Sequence, residues 1–412
     1  MYKSNDRAAK ILFVTWDGPQ VTYLEGLFLP IFKQLKKFGL HFHILQFTWG
    51  GSDRTHINHL VCKEAGIPYQ AVTIWRRPRA LGALLTALLH SRTIRHVIRN
   101  QCIDIIIPRS ILPGLSALLA LRNNTSLQMI FDADGLPLDE RVDFAGLASS
   151  SGTYRFLRDI ESQAVRKADA VLTRSSVASR ILLDRAGSET TAKKFHVVTN
   201  GRDSVLFSPE NKEQHSAVRK NLDIPLSAPL VVYAGSVGQQ YCLNEMFTFF
   251  SYLLSSRHDA HFLLLTGSPD SVLAILDSFQ DIKKSVTVRS VSAHDVPDYL
   301  AAADVGLGLR KPSFCMQAVS PIKLGEYLLC GLPVIATRGI GDTSILITEH
   351  VGFLVDDDCK AQLKKAVSWF INEVLEMRNI FRKRCRTEGV KHFSLDQTVK
   401  KYRYALESVI DA

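Results

Sequence analysis

One stretch of the chain joins a place for an anion to an acid close by. Residues 320–336 run from Ser320 and Pro321 through Lys323 and Glu326 to Gly331, Pro333 and Ala336. Ser320 is a good helix N-cap, and Pro321 suits the first helical position, where a missing N–H costs nothing. Gly331 is placed to stop the helix, and Val334 and Ile335 read as a buried strand. Free N–H groups at a helix start can hold a phosphate. Glu326 follows within two turns. Its carboxylate can accept from both hydroxyls of a vicinal diol, or it can form an ion pair with Lys323 at i−3. Further candidates stand just after strand-like runs: Gly18, Asp132 and Asp134, Gly235 and Ser236, and Arg310 with Lys311. The two aspartates could bind hydroxyls or take a proton, or else cap a helix or make an Asx-turn before Gly135. Glycines let main-chain N–H groups approach a phosphate, although Gly18 could equally mark a plain turn. Arg310 and Lys311 are phosphate ligands or solvated charges.

These positions need a frame. Apolar runs at 11–15, 42–47, 71–75, 104–108, 128–131, 170–173 and 196–198 alternate with amphipathic helical stretches. The polar stretch 210–221 interrupts the pattern, which resumes with runs at 229–234, 262–266, 286–291, 305–309 and 332–336. Alternation of this kind predicts parallel sheets covered by helices on both faces. With 412 residues the chain is too long for one core, so two doubly wound domains follow, 1–205 and 206–390. Ser292 with Asp295, and Ser394 with Gln397, are capping boxes. The second opens a final helix, 391–412, expected to pack back on the N-terminal domain. Open parallel sheets bind ligands at the carboxyl ends of their strands, where every candidate above lies.

Composition narrows the partners. A net charge of +10 and a pI of about 9.2 favour anionic ones. Seven cysteines with no C-x-x-C spacing imply free thiols in a reducing compartment. Residues 1–10 lack a signal-peptide apolar core, and no apolar run is long enough to span a bilayer. A cytoplasmic protein is expected, with a peripheral place on the inner membrane face as an option. The basic stretch from Trp75 through Arg76, Arg77 and Arg79, followed by the apolar run 81–89 and Arg92, Arg95 and Arg99, reads as an amphipathic surface for anionic lipid or as an ordinary sheet-packing helix with a solvated end. Nucleic acid is not expected, because no helix-turn-helix, zinc module or aromatic RNA platform accompanies the charge. No metal is expected either: H-E-x-x-H is missing, and Asp356, Asp357 and Asp358 read as a solvated turn.

Taken in order, these residues resemble glycosyltransferase family 4. Residues 320–336 are similar to its donor-binding signature. Asp304 in 303–305, Gly352 in 352–355, Asp169 in 168–171, and Asn200 to Asp203 with Phe207 fall where the family pattern has them. The resemblance implies a GT-B fold, two facing Rossmann-like domains with an interdomain cleft, that binds a nucleoside-diphosphate sugar and no other cofactor. It implies ribose binding by Glu326. Residues 132–135, Asp139 with Glu140, and the tyrosine-bearing loop 235–246 look most like a bacterial subgroup that builds surface polysaccharides.

The chain also departs from the pattern. Ala318 stands where the family often has its first signature glutamate, near the donor sugar. Loop 235–246 lacks the Arg and Lys that commonly hold the diphosphate, so Arg310, Lys311 and Lys323 are the replacements, with main-chain N–H groups of Gly235 and Gly238 able to approach the phosphate. Ser236, Ser320 and Pro321 complete the donor-binding candidates. A family histidine near the reacting carbon is replaced by Asp132, with Asp134 beside it. The expected function is a retaining transfer of a hexose-type sugar to a hydroxyl of a glycan or lipid-linked acceptor. A nucleotide-sugar 2-epimerase and a degenerate binding or assembly subunit are the rivals.

Overall fold

A computed structural model describes every residue except 1–7, 20, 50, 78, 123–126, 210–211, 357–359 and 411–412. The chain divides into two units. The first comprises 1–198 and 398–412, the second 199–397. The first division falls a few residues before the expected 205, and the return falls inside the last helix, Leu395–Ile410, rather than before it.

The first unit holds a seven-stranded parallel sheet: β1 (Ala9–Trp16), β2 (Leu40–Thr48), β3 (Tyr69–Thr73), β4 (Ile105–Pro108), β5 (Gln128–Asp132), β6 (Ala170–Thr173) and β7 (Phe195–Val197). Its order is β3-β2-β1-β4-β5-β6-β7. The second unit holds β8 (Leu230–Ala234), β9 (His261–Leu265), β10 (Val286–Arg289), β11 (Val305–Gly308), β12 (Val334–Thr337) and β13 (Gly352–Val355), in the order β10-β9-β8-β11-β12-β13. Strand β13 is not among the runs read from sequence. In both sheets the order reverses beside the first strand, between β1 and β4 and between β8 and β11. A crevice opens at the carboxyl ends of such a pair.

Burial on both faces explains the apolar runs. Along β8, Leu230, Val232 and Ala234 enter one core cluster, and Val231 and Tyr233 enter another on the opposite face. Three strands are fastened by one device. Asp104, Asp169 and Asp304 each precede a strand and accept the N–H of a neighbouring strand, from Lys10 at 2.9 Å, Met129 at 2.8 Å and Leu230 at 2.8 Å. Asp304 also takes the guanidinium of the buried Arg219 at 2.8 Å. Arg219 lies on helix Lys212–Asn221, so most of the polar stretch 210–221 is a helix of the second unit rather than a break.

The signature segment forms helix Ile322–Leu329. Its N-cap is Pro321, with no side-chain cap bond, so Ser320 does not cap it as expected. The helix ends as read: Gly331 has φ +72°, and the Leu332 N–H reaches back to Tyr327 O at 2.8 Å. It lies hard against β11, where a Cβ on Gly306 would come within 2.5 Å of the Tyr327 ring. Ser394 Oγ caps the final helix through Gln397 N at 3.3 Å. Ser292 and Asp295 bond each other in the turn before helix Val296–Ala301, whose N-cap is Asp295. Among the described residues no helix is long and apolar enough to cross a membrane, and the described cysteines are all free thiols.

Candidate active site

In the second unit the site grows from the β8/β11 crevice. The chain leaves β8 through Gly235 at φ +140°, a conformation that side chains resist. A Cβ there would press to 3.0 Å on Lys323 Nζ. Lys323 comes up from the signature helix and is buried. Its ammonium nitrogen donates to Tyr233 Oη at 2.7 Å and lies 4.0 Å and 4.4 Å from the ring centroids of Tyr233 and Tyr241. Burial pushes its pKa well below the ordinary lysine value; Arg310 adds to this and Glu326 opposes it. Tyr233 is pushed well up, chiefly by burial, and its hydroxyl donates to Ser236 O.

Arg310 leaves β11 and pairs its backbone with Tyr241 in an isolated antiparallel bridge. Its Nη2 donates to Tyr241 Oη at 3.1 Å, and its Nη1 contacts Met316 Sδ at 3.3 Å. Its Nε is buried and finds no hydrogen-bond partner among the described residues. Loop 235–246 itself contains no cation, but Lys323 and Arg310 both lie over the Tyr241 ring, at 4.4 and 4.9 Å. Lys311 is exposed and, with Gly238 and Tyr241, lines a neighbouring cavity of about 570 Å³.

Glu326 does not pair with Lys323. Its Oε1 lies 2.8 Å from Nε of Arg202, whose guanidinium covers the Phe207 ring at 5.0 Å. Asn200 Nδ2 donates to Ser320 O at 3.0 Å, tying the 200–203 loop to the turn before the signature helix. Arg202 had a place in the family order but no assigned role. The signal that could have found it is an acid midway along an apolar helix, which needs a cation from elsewhere. Ala318 is fully buried in the short turn Cys315–Ala318.

In the first unit the β1/β4 crevice holds a chain of charges. Asp17 accepts from Thr15 Oγ1 and lies 3.2 Å from Arg109 Nη1, and Arg109 Nη2 reaches Asp134 at 2.6 Å. Asp134 has φ +52°, and its carboxylate is 32% exposed. Asp132 is different. It is completely buried, both carboxylate oxygens are held by Arg174 at 2.7 and 2.8 Å, and Tyr402 of the last helix bonds the same arginine. Burial raises its pKa against the pull of Arg174. Asp132 Oδ1 also accepts the N–H of Asp134 at 3.3 Å, the Asx-turn alternative. The Asp132 carboxylate thus has no exposed face in this structure, whereas that of Asp134 does. Asp139 is likewise spent, on Arg185 at 2.8 Å and Tyr154 at 2.7 Å. Gly18 admits the Trp49 ring, which a Cβ would meet at 2.7 Å.

Among the described residues no cluster of three His, Cys, Asp or Glu side chains could hold a metal ion. Asp356 is engaged by Arg338 and Gln362, while Asp357 and Asp358 lie outside the described residues.

Two doubly wound parallel units, each with charged groups at its reversal point, define the GT-B class of α/β proteins. The description "Glycosyl transferase 4-like domain" matches residues 28–201, and "Glycosyl transferases group 1" matches 228–373. The chain belongs to the family 4-type glycosyltransferases. It is 23% identical to α-maltose-1-phosphate synthase of Mycolicibacterium smegmatis over 61% of this chain and 67% of that one. It is 26% identical to the putative teichuronic acid biosynthesis glycosyltransferase TuaC of Bacillus subtilis, over 40% of this chain and only 38% of that one. Its fold matches Anabaena HepE, solved in complex with UDP, with a TM-score of 0.72, 14% identity, and coverage of 97% of this chain and all of that one.

Proposed function

We propose that the protein is a retaining glycosyltransferase. It moves a hexose-type sugar from a nucleoside diphosphate to a hydroxyl of a glycan or lipid-linked acceptor in surface-polysaccharide synthesis. The observation that carries this reading is the convergence of Lys323 and Arg310 on Tyr241 beside the Gly235 turn, with Glu326 one turn further along the helix that carries Lys323. In the reaction, the bond from the anomeric carbon to the diphosphate oxygen breaks, and a bond from that carbon to the acceptor oxygen forms. The diphosphate leaves with the electron pair, and the acceptor proton passes to it or to a base. Lys323, Arg310 and the exposed Lys311 supply charge for the leaving group. Glu326, oriented by Arg202, takes the ribose hydroxyls. Asp134, oriented by Arg109, is the carboxylate left for the acceptor hydroxyl. The binding of UDP by HepE and the biosynthetic role named for TuaC agree with this reading. Family membership supports the retaining part of the reading.

The test is turnover of a nucleotide-sugar panel with and without membrane extract. Acceptor-dependent release of nucleoside diphosphate is expected; epimerised donor without acceptor would replace this reading with a 2-epimerase. In the same system, Glu326→Ala should weaken nucleoside-diphosphate binding about tenfold or more, the loss of a charged hydrogen bond worth roughly 1.5–3 kcal/mol. Unchanged affinity in a folded variant would remove the ribose assignment.

A further inference from the structure

The first unit carries a groove of about 590 Å³ that no residue discussed so far explains. That volume is typical of a small-molecule site. Three of the chain's four tryptophans, Trp16, Trp49 and Trp75, line it. Leu81 and Leu84 of helix Arg79–Leu89, with Phe156, extend the apolar wall. Trp75, Leu81 and Phe156 are 51%, 53% and 50% exposed, so a large apolar surface stands in water. The wall is braced. Trp16 stacks on Phe47 with centroids 5.1 Å apart, and the Trp75 N–H donates to Thr86 Oγ1 at 3.0 Å. Its charges are of one sign: Arg76 lies 5.0 Å over the Trp49 ring, Arg141 stands in the same lining, and among the described residues the lining includes no carboxylate. The groove is also next in sequence to the charge chain of this unit. Trp16 precedes Asp17, and Arg141 lies on helix Pro137–Ala145, which begins just after Gly135.

We propose that this groove holds the hydrocarbon chain of a lipid-phosphate acceptor, with Arg76 and Arg141 taking the phosphate. The inference rests on the transferase reading and names the acceptor class within it. A bare glycan would meet few polar partners on such a wall. An aliphatic chain ending in a phosphate matches both its apolar surface and its charge.

Tryptophan emission reads this groove directly. The full chain is titrated with dodecyl phosphate below its micelle concentration, beside inorganic phosphate and dodecanol. A saturable change with dodecyl phosphate and none with inorganic phosphate is expected. Trp75→Ala, with folding checked by circular dichroism, should weaken dodecyl phosphate at least tenfold. Arg76→Gln with Arg141→Gln should weaken dodecyl phosphate but not dodecanol. No saturation, or equal binding by the parent and Trp75→Ala, overturns the proposal. So does sedimentation with phosphatidylglycerol vesicles that depends on Trp75 when dodecyl phosphate does not bind, because the face would then be a membrane-docking surface. Calorimetry with nucleoside diphosphates on the same samples separates the two readings. Nucleotide binding without alkyl-phosphate binding sinks only the acceptor class. Alkyl-phosphate binding with no sugar transferred to a dodecyl-diphosphate-linked sugar from any donor sinks the acceptor role together with the transferase reading.

Discussion

Lys323, proposed above to supply charge for the leaving diphosphate, sits where its surroundings discourage that charge. Tyr233, Tyr241, Arg310 and Glu326 face it; burial and Arg310 disfavour the ammonium form, and Glu326 opposes them. Its folded pKa lies below the ordinary 10.5, so the unfolded chain binds the proton more readily. Stability contributed at this residue therefore falls as pH drops from near 10.5 toward the depressed folded value. Lys323→Met should gain stability over the parent across that window, and chemical denaturation at several pH values checks it. A diphosphate reverses the preference, so nucleotide binding in the window should take up a proton. Calorimetry in buffers of different ionisation enthalpy measures that uptake; none would mean that Lys323 is already charged. Arg310→Ala should lower kcat about 10²- to 10³-fold, the usual cost of losing one preorganised donor to developing charge. The placing of Gly235 and Arg310 just after strands was legible from residue types, because cations and glycines after strands are local facts. The burial of Asp132 was not. It depends on Arg174 and Tyr402, which sequence spacing does not bring to it.

At the scale of elements, the parallel strands were readable because burial on both faces demands continuous apolar runs. The 170–173 strand was bounded to the residue. Strand β13 escaped because it has only four residues and begins with a glycine, leaving little periodicity to detect. Helix Lys212–Asn221 escaped because its sequence is polar: its key inward group is Arg219, and a buried arginine reads as a surface one until Asp304 is seen beside it. Asp304→Ala should therefore cost about 3–5 kcal/mol, as expected when a buried ion pair loses one partner. It would also leave the Leu230 N–H without its acceptor. Equilibrium urea unfolding tests this, and a loss below about 1 kcal/mol would mean that Arg219 finds another partner.

For the whole molecule, two units were expected from length and from the repeated strand–helix alternation; the capping box at Ser394 marked the final helix, but no residue in the sequence said which unit it joins. Tyr402 gives its return to the first unit a function, since it completes the buried shell around Arg174 and Asp132. A chain ended at residue 397 should lose protection from hydrogen exchange in strands β5 and β6 while the strands of the second unit keep theirs. Equal protection in both sheets would show that Tyr402 adds little. The same return has a consequence for synthesis. The first unit leaves the ribosome first, yet its final helix emerges only after the whole second unit has been made. At about 5–20 residues per second, those two hundred residues impose a wait on the order of tens of seconds. During that time Arg174 and Asp132 lack their cover, so the half begun first is the half that finishes last.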